Sequence, residues 1–95
     1  MVDTEIRLSA LRALLGKVPS SLRSFSAEVS GNVVRLRSIF DDTATEEHIE
    51  LLSSVGAEII ADYPAEYSLE EDFWKLSSSA QMENLPELIF YRYEF

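Results

Sequence analysis

A chain of 95 residues with 17 Asp and Glu against 8 Lys and Arg carries a formal charge of −9, and it contains no cysteine. That length points to one domain over residues 1–95, one that buries only about 60 to 65% of its unfolded surface and leaves little room for a deep catalytic cleft. The lack of thiols excludes disulfides and thiolate metal sites, the charge argues against nucleic acid and anionic lipid as partners, and no run reaches the roughly 18 apolar residues of a membrane span.

Asp3 or Thr4 is a candidate cap for a first helix running from about Thr4 to Leu15. Within it Ile6, Ala10, Leu11, Leu14, Leu15 and Val18 recur at three- and four-residue spacing as the expected buried stripe, and Gly16 and Pro19 stop it. From Arg23 the period falls to two. Phe25, Ala27 and Val29 take one face and Ser24, Ser26 and Glu28 the other, and Ser30-Gly31-Asn32 has the composition of a hairpin turn. The return strand, Val33 to Phe40, puts Val34, Leu36 and Phe40 inward and Val33, Arg35, Arg37 and Ile39 on a face expected to be solvated.

A second helix follows, with either Thr43 or Thr45 as its cap. Glu46, Glu47 and Glu50 complement the positive end of its dipole, Ile49, Leu52, Val55, Ile59 and Ile60 form its apolar stripe, and Asp62-Tyr63-Pro64 ends it near Ala61. Gly56 lies inside it at a cost of about 1 kcal/mol relative to Ala, which points to a close approach by a neighbouring element. Tyr67 to Trp74 alternates as a strand crowded with acids, Ser77 to Asn84 reads as a polar, mobile loop, and Leu88 to Phe95 closes the chain as a strand. The order αββαββ predicts an α+β fold: a four-stranded antiparallel sheet made of two hairpins, with both helices covering one face and the other face open.

The acidic N-terminus, and the Arg7, Arg12 and Lys17 that interrupt the apolar stretch after it, are unlike a secretory signal, so the expected location is the cytoplasm. His48 is the single histidine and has no cysteine to pair with; it reads as a surface residue, and no catalytic residue is assigned. The acids lack the spacing of a calcium loop and the three glycines are isolated, so neither a metal nor a cofactor is expected.

Charge segregation is the most informative feature. Between Ser38 and Trp74 lie eleven acids and no Lys or Arg, whereas residues 1–37 hold six cations against three acids. Such a stretch is either a solvated face that keeps the protein soluble or a field directed at a cationic partner. Trp74, Tyr91, Tyr93 and Phe95 would share one face if the last two strands paired; they are then either core or an aromatic binding patch.

Three segments carry a resemblance: Ile6-Arg7-Leu8 with Leu11-Arg12-Ala13-Leu14-Leu15-Gly16-Lys17-Val18; Phe40-Asp41-Asp42 leading into Thr45-Glu46-Glu47; and Glu58-Ile59-Ile60-Ala61-Asp62-Tyr63-Pro64. With these the chain resembles the small bacterial immunity proteins of contact-dependent growth inhibition systems. The resemblance implies a cytoplasmic, non-enzymatic protein that binds the C-terminal domain of a cognate toxin, many such toxins being nucleases with basic substrate grooves. Joined to the charge pattern, it makes Asp41, Asp42, Glu46, Glu47, Glu50, Glu70, Glu71 and Asp72 the expected toxin-binding residues, with Trp74 as an anchor. The alternative is a non-enzymatic regulatory or assembly module that forms a homodimer, or binds a protein, through its sheet face or last strand.

Overall fold

The computed structural model of the chain describes residues 4–94. Its elements are α1 (Thr4–Leu14), β1 (Leu22–Ser30), β2 (Val33–Phe40), α2 (Glu46–Ala61), β3 (Ser68–Lys75) and β4 (Glu87–Tyr91), in the expected αββαββ order. Gly16, at φ 75°, takes the left-handed conformation just beyond α1, and Gly31, at φ 58°, does so in the β1–β2 turn. The cap candidate Asp3 and the last residue of the expected final strand, Phe95, lie outside the described residues.

The sheet is mixed, which corrects the expected antiparallel arrangement. Its strand order is β3-β2-β1-β4; β1 pairs antiparallel with both β2 and β4, while β2 and β3 run parallel in register from Val33↔Ser68 to Phe40↔Lys75. No β3–β4 hairpin exists. The cause is α2: its 16 residues return the chain over about 24 Å, so β3 starts beside the beginning of β2 and must run the same way. β3 and β4 therefore occupy opposite edges, and Trp74 does not share a strand pair with Tyr91 or Tyr93.

Both helices lie on one face of the sheet. Ile6, Ala10, Ala13 and Leu14 of α1 and Leu52, Val55 and Ile59 of α2 form a single buried cluster with Phe25, Ala27, Val34, Leu36 and Phe40. The α1 stripe is narrower than expected, because Leu11, Leu15 and Val18 are turned to solvent. Ser9 is buried beside that cluster, and its hydroxyl donates to Asp62 Oδ2 just beyond α2 at 2.6 Å.

The opposite face is not open. Having left β3 at one edge, the chain must cross β2 and β1 to reach β4 at the other, and residues 76–86 do so as a strap. Ser24 and Ser26, which alternate with the inward Phe25 and Ala27, point at it and are fully buried. Ser24 Oγ donates to Asn84 Oδ1 at 2.6 Å, the Leu85 amide to Ser26 Oγ at 2.9 Å, and Arg37 Nη1 to the Glu83 carbonyl at 2.9 Å. Ile39, expected to be solvated, is instead fully buried outside the helix-side core, as the covered face requires.

Candidate functional site

The acids of the central stretch divide into carboxylates engaged within the fold and carboxylates left facing solvent. Asp41, at the end of β2, is of the first kind. Its Oδ1 accepts from the Thr43 amide at 2.9 Å and the Thr43 hydroxyl at 2.5 Å, and its Oδ2 accepts from Arg92 Nη1 at 2.7 Å. The Thr43 hydroxyl, and then Arg92, hold the carboxyl down at about 2 against an ordinary 3.8. Arg92 also donates to Glu94, whose two oxygens grip buried Arg23 at 2.9 and 3.0 Å. Arg23 further donates to the Ser77 and Ser78 carbonyls. One charged network therefore ties the end of the chain and the start of the strap to β1, and Arg23 and Arg92 together lower the Glu94 carboxyl.

Asp42, Glu46, Glu47 and Glu50 are of the second kind. All four are exposed, and none forms an ion pair among the described residues. With Asp42 in the preceding loop and Glu50 in the following turn, Glu46 and Glu47 lie in the first turn of α2, where a helix N-terminus favours carboxylates. Thr45 caps this turn: its hydroxyl accepts from the His48 amide, and the His48 ring accepts from the Thr45 amide to complete a capping box. His48 Nδ1 also lies 2.8 Å from the hydroxyl of buried Ser21. The single histidine, read from sequence as a surface residue, thus docks the turn onto the residue that precedes β1.

The β3 acids sit elsewhere. Glu70, Asp72 and Trp74 share the strap side of the sheet, since their register partners Arg35, Arg37 and Ile39 alternate with the inward Val34, Leu36 and Phe40. Arg35 bridges Glu28 at 3.0 Å and Glu70 at 3.5 Å, and Arg37 bridges Asp72 at 3.1 Å. The Arg37 guanidinium also stacks over the Trp74 ring, 4.1 Å from its centroid. Glu71 faces the other way, toward α2. A Cβ added to Gly56 would collide with its carboxylate and come within 3.4 Å of Leu36 Cδ1. Burial pushes the Glu71 carboxyl up. The close approach expected at Gly56 is therefore made by an acid, Glu71, which strand alternation places on the same face as Leu69 and Phe73.

The nine expected binding residues thus do not form one patch: the α2 turn projects from the helix side, and Glu70, Asp72 and Trp74 from the strap side. Among the described residues no group of three or more His, Asp or Glu is placed to hold a metal ion, and no helix is long and apolar enough to cross a membrane.

Sequence reasoning missed a further exposed surface, the outward face of α1, where Leu8, Leu11 and Leu15 flank Arg12. The signal was present, since Leu8, Leu11, Leu15 and Val18 recur at the three- and four-residue spacing of a second stripe.

A model of the MafI2 immunity protein family matches residues 3–94. No curated protein matches the chain.

Proposed function

The chain belongs to the MafI2 immunity protein family, and from that premise we propose that it binds and neutralises a cognate bacterial toxin domain through the carboxylates at the start of α2. Family membership over residues 3–94 is the observation that carries this reading. The proposed contacts are Asp42, Glu46, Glu47 and Glu50; Glu70, which pairs with Arg35, and Trp74, which lies under Arg37, are proposed as a separate contact on the strap side. Asp41, Glu71 and Asp72 belong to the proposed surface as groups that shape it, because each is already engaged within the fold.

The target proposed is a nuclease domain met in the cytoplasm. A groove that binds nucleic acid collects Lys and Arg, and an array of unpaired carboxylates meets such a groove without first breaking its own ion pairs. Complementary fields of this kind raise association rates by about 10- to 1,000-fold at low salt, which matters for an inhibitor that must capture its target before it acts.

The test is growth rescue in a susceptible host expressing the neighbouring toxin C-terminal domain. Wild-type protein rescues; the Asp42→Asn, Glu46→Gln, Glu47→Gln, Glu50→Gln variant, confirmed as folded by circular dichroism, does not. Full rescue by that variant would remove the acidic turn from the binding site.

A module that dimerises through its last strand is the competing reading. It draws support from β4, a sheet edge that leaves Leu88, Tyr91 and Tyr93 exposed. Sedimentation separates the two: a dimer insensitive to salt and lost on Tyr91→Ser favours the module.

A further inference from the structure

We infer that the outward face of α1 is a second docking surface for the toxin domain, one that takes an apolar segment carrying an Asp or Glu side chain. This inference rests on the toxin-binding reading above and adds a contact of opposite character. Leu8, Leu11, Leu15 and Val18 are 61%, 45%, 77% and 42% exposed. Leu8, Leu11 and Leu15 line a surface groove of about 290 Å³ with Arg12 in it. Contiguous apolar surface of this kind on a small domain marks an interaction site more often than isolated exposed leucines do.

Arg12 identifies the occupant. Among the described residues Arg7, Lys17, Arg23, Arg35, Arg37 and Arg92 each have a carboxylate partner, and of the eight cations only Arg12 and Lys75 have none. In a chain with more than twice as many acids as bases, an arginine without a carboxylate is unusual. Of the nearby acids, Glu58 pairs with Lys17, Asp62 accepts the Ser9 hydroxyl through Oδ2, and Glu5 lines a groove with Arg12 without an ion pair to it. Arg12 also lines the adjoining groove between α1 and α2 with Glu58 and Asp62, yet forms no ion pair with either. An arginine set among leucines and free of internal partners has the composition of an interface hot spot, and its complement is a carboxylate desolvated by apolar neighbours.

A second copy of the chain does not fit. Arg12 lies within the stripe that runs from Leu8 to Leu15, so a two-fold pairing of that stripe with itself would bring two guanidinium groups close together at the axis. The toxin domain is the occupant that the charges allow. The stripe lies beside the C-terminal end of α2, and the chain leads from it to the acidic turn: three residues beyond Val18, the Ser21 hydroxyl lies 2.8 Å from His48 Nδ1 in the first turn of α2. One partner spanning both would meet a cation on α1 and anions on α2, and that two-signed pattern fixes its orientation.

The experiment measures Kd by titration calorimetry between the full chain and the toxin C-terminal domain encoded beside it. Four proteins are compared: wild type, Arg12→Glu, Leu11→Ser with Leu15→Ser, and the four-amide α2 variant. All substituted side chains are exposed, and thermal melts verify folding. The inference expects Arg12→Glu and the double Ser variant each to weaken binding at least tenfold, with Arg12→Lys within about threefold of wild type. Loss with the α1 variants but not the amide variant upholds the α1 surface and removes the acidic one. Loss with the amide variant alone overturns the α1 surface and leaves the acidic one standing. If the α1 variants keep wild-type Kd but abolish a homodimer seen by sedimentation, the face belongs to a second copy and the inference is overturned. Absence of binding by wild type overturns both.

Discussion

Replacing Asp41 by Asn should destabilise the protein while leaving its toxin affinity nearly intact, although Asp41 lies next to the exposed acids. The carboxylate joins the turn after β2, through Thr43, to Arg92 beyond β4. With its side chain only 16% exposed, and held at about 2 against an ordinary 3.8, it contributes about 2 kcal/mol to folding at neutral pH. The sign follows from the depressed value: the contribution is complete above the unfolded value near 3.8 and disappears as pH falls toward 2. Urea denaturation at pH 7 should show Asp41→Asn destabilised by about 1 to 2 kcal/mol, since the amide keeps one acceptor for Thr43 and loses the ionic bond to Arg92. In a pH series the gap between the two proteins should close between pH 4 and pH 2. A variant as stable as wild type at pH 7, or a gap that does not change with pH, would refute the role assigned to this network.

Glu71→Gln should act in the opposite sense. Burial raises the Glu71 carboxyl above its ordinary 4.5, so folding with the charged form is disfavoured. The variant should gain stability over wild type as pH rises through and above 4.5 and match it below, as read from melts at pH 4 and pH 7. Gly56→Ala should change stability by less than about 1 kcal/mol alone, because the helix-propensity gain is offset by eviction of the Glu71 side chain; in a Glu71→Ala background the full gain of about 1 kcal/mol should appear in the same melts. His48→Ala removes half of the capping box and the Ser21 contact, and a loss of about 1 kcal/mol is expected in urea denaturation. Toxin association measured by stopped flow should slow as salt rises from 50 to 500 mM, and the four-amide variant should lose most of that dependence.

Much of the fold was legible because short-range periodicity encodes it. The three- and four-residue recurrence of Ile6, Ala10 and Leu14, and of Leu52, Val55 and Ile59, gave both helices and their buried faces. Period-two alternation and Gly31 gave the β1–β2 hairpin. Strand order was not legible, since alternation is the same for parallel and antiparallel neighbours. The length of α2 determines the direction of β3, because the helix is a crossover between parallel strands and not a separate unit. The polar segment from Ser77 to Asn84 looked mobile because its serines and Asn84 suit solvent. It is held by hydroxyls of Ser24 and Ser26 that are equally polar, and two polar surfaces that satisfy each other leave no hydrophobic trace in the sequence.

The sequence by itself determined the segregation of charge, the six elements and the affinity to immunity proteins, because composition, periodicity and local motifs are properties of neighbours along the chain. Only the tertiary structure decided which acids remain available. Asp41 and Asp42 are adjacent and chemically alike, yet one faces Arg92, fifty-one residues later, and the other faces solvent. Glu70, Glu71 and Asp72 are consecutive, and strand alternation turns the middle one under α2. Whether a carboxylate is a strut or a contact depends on what the folded chain brings opposite it, and such long-range pairing is not written in local pattern.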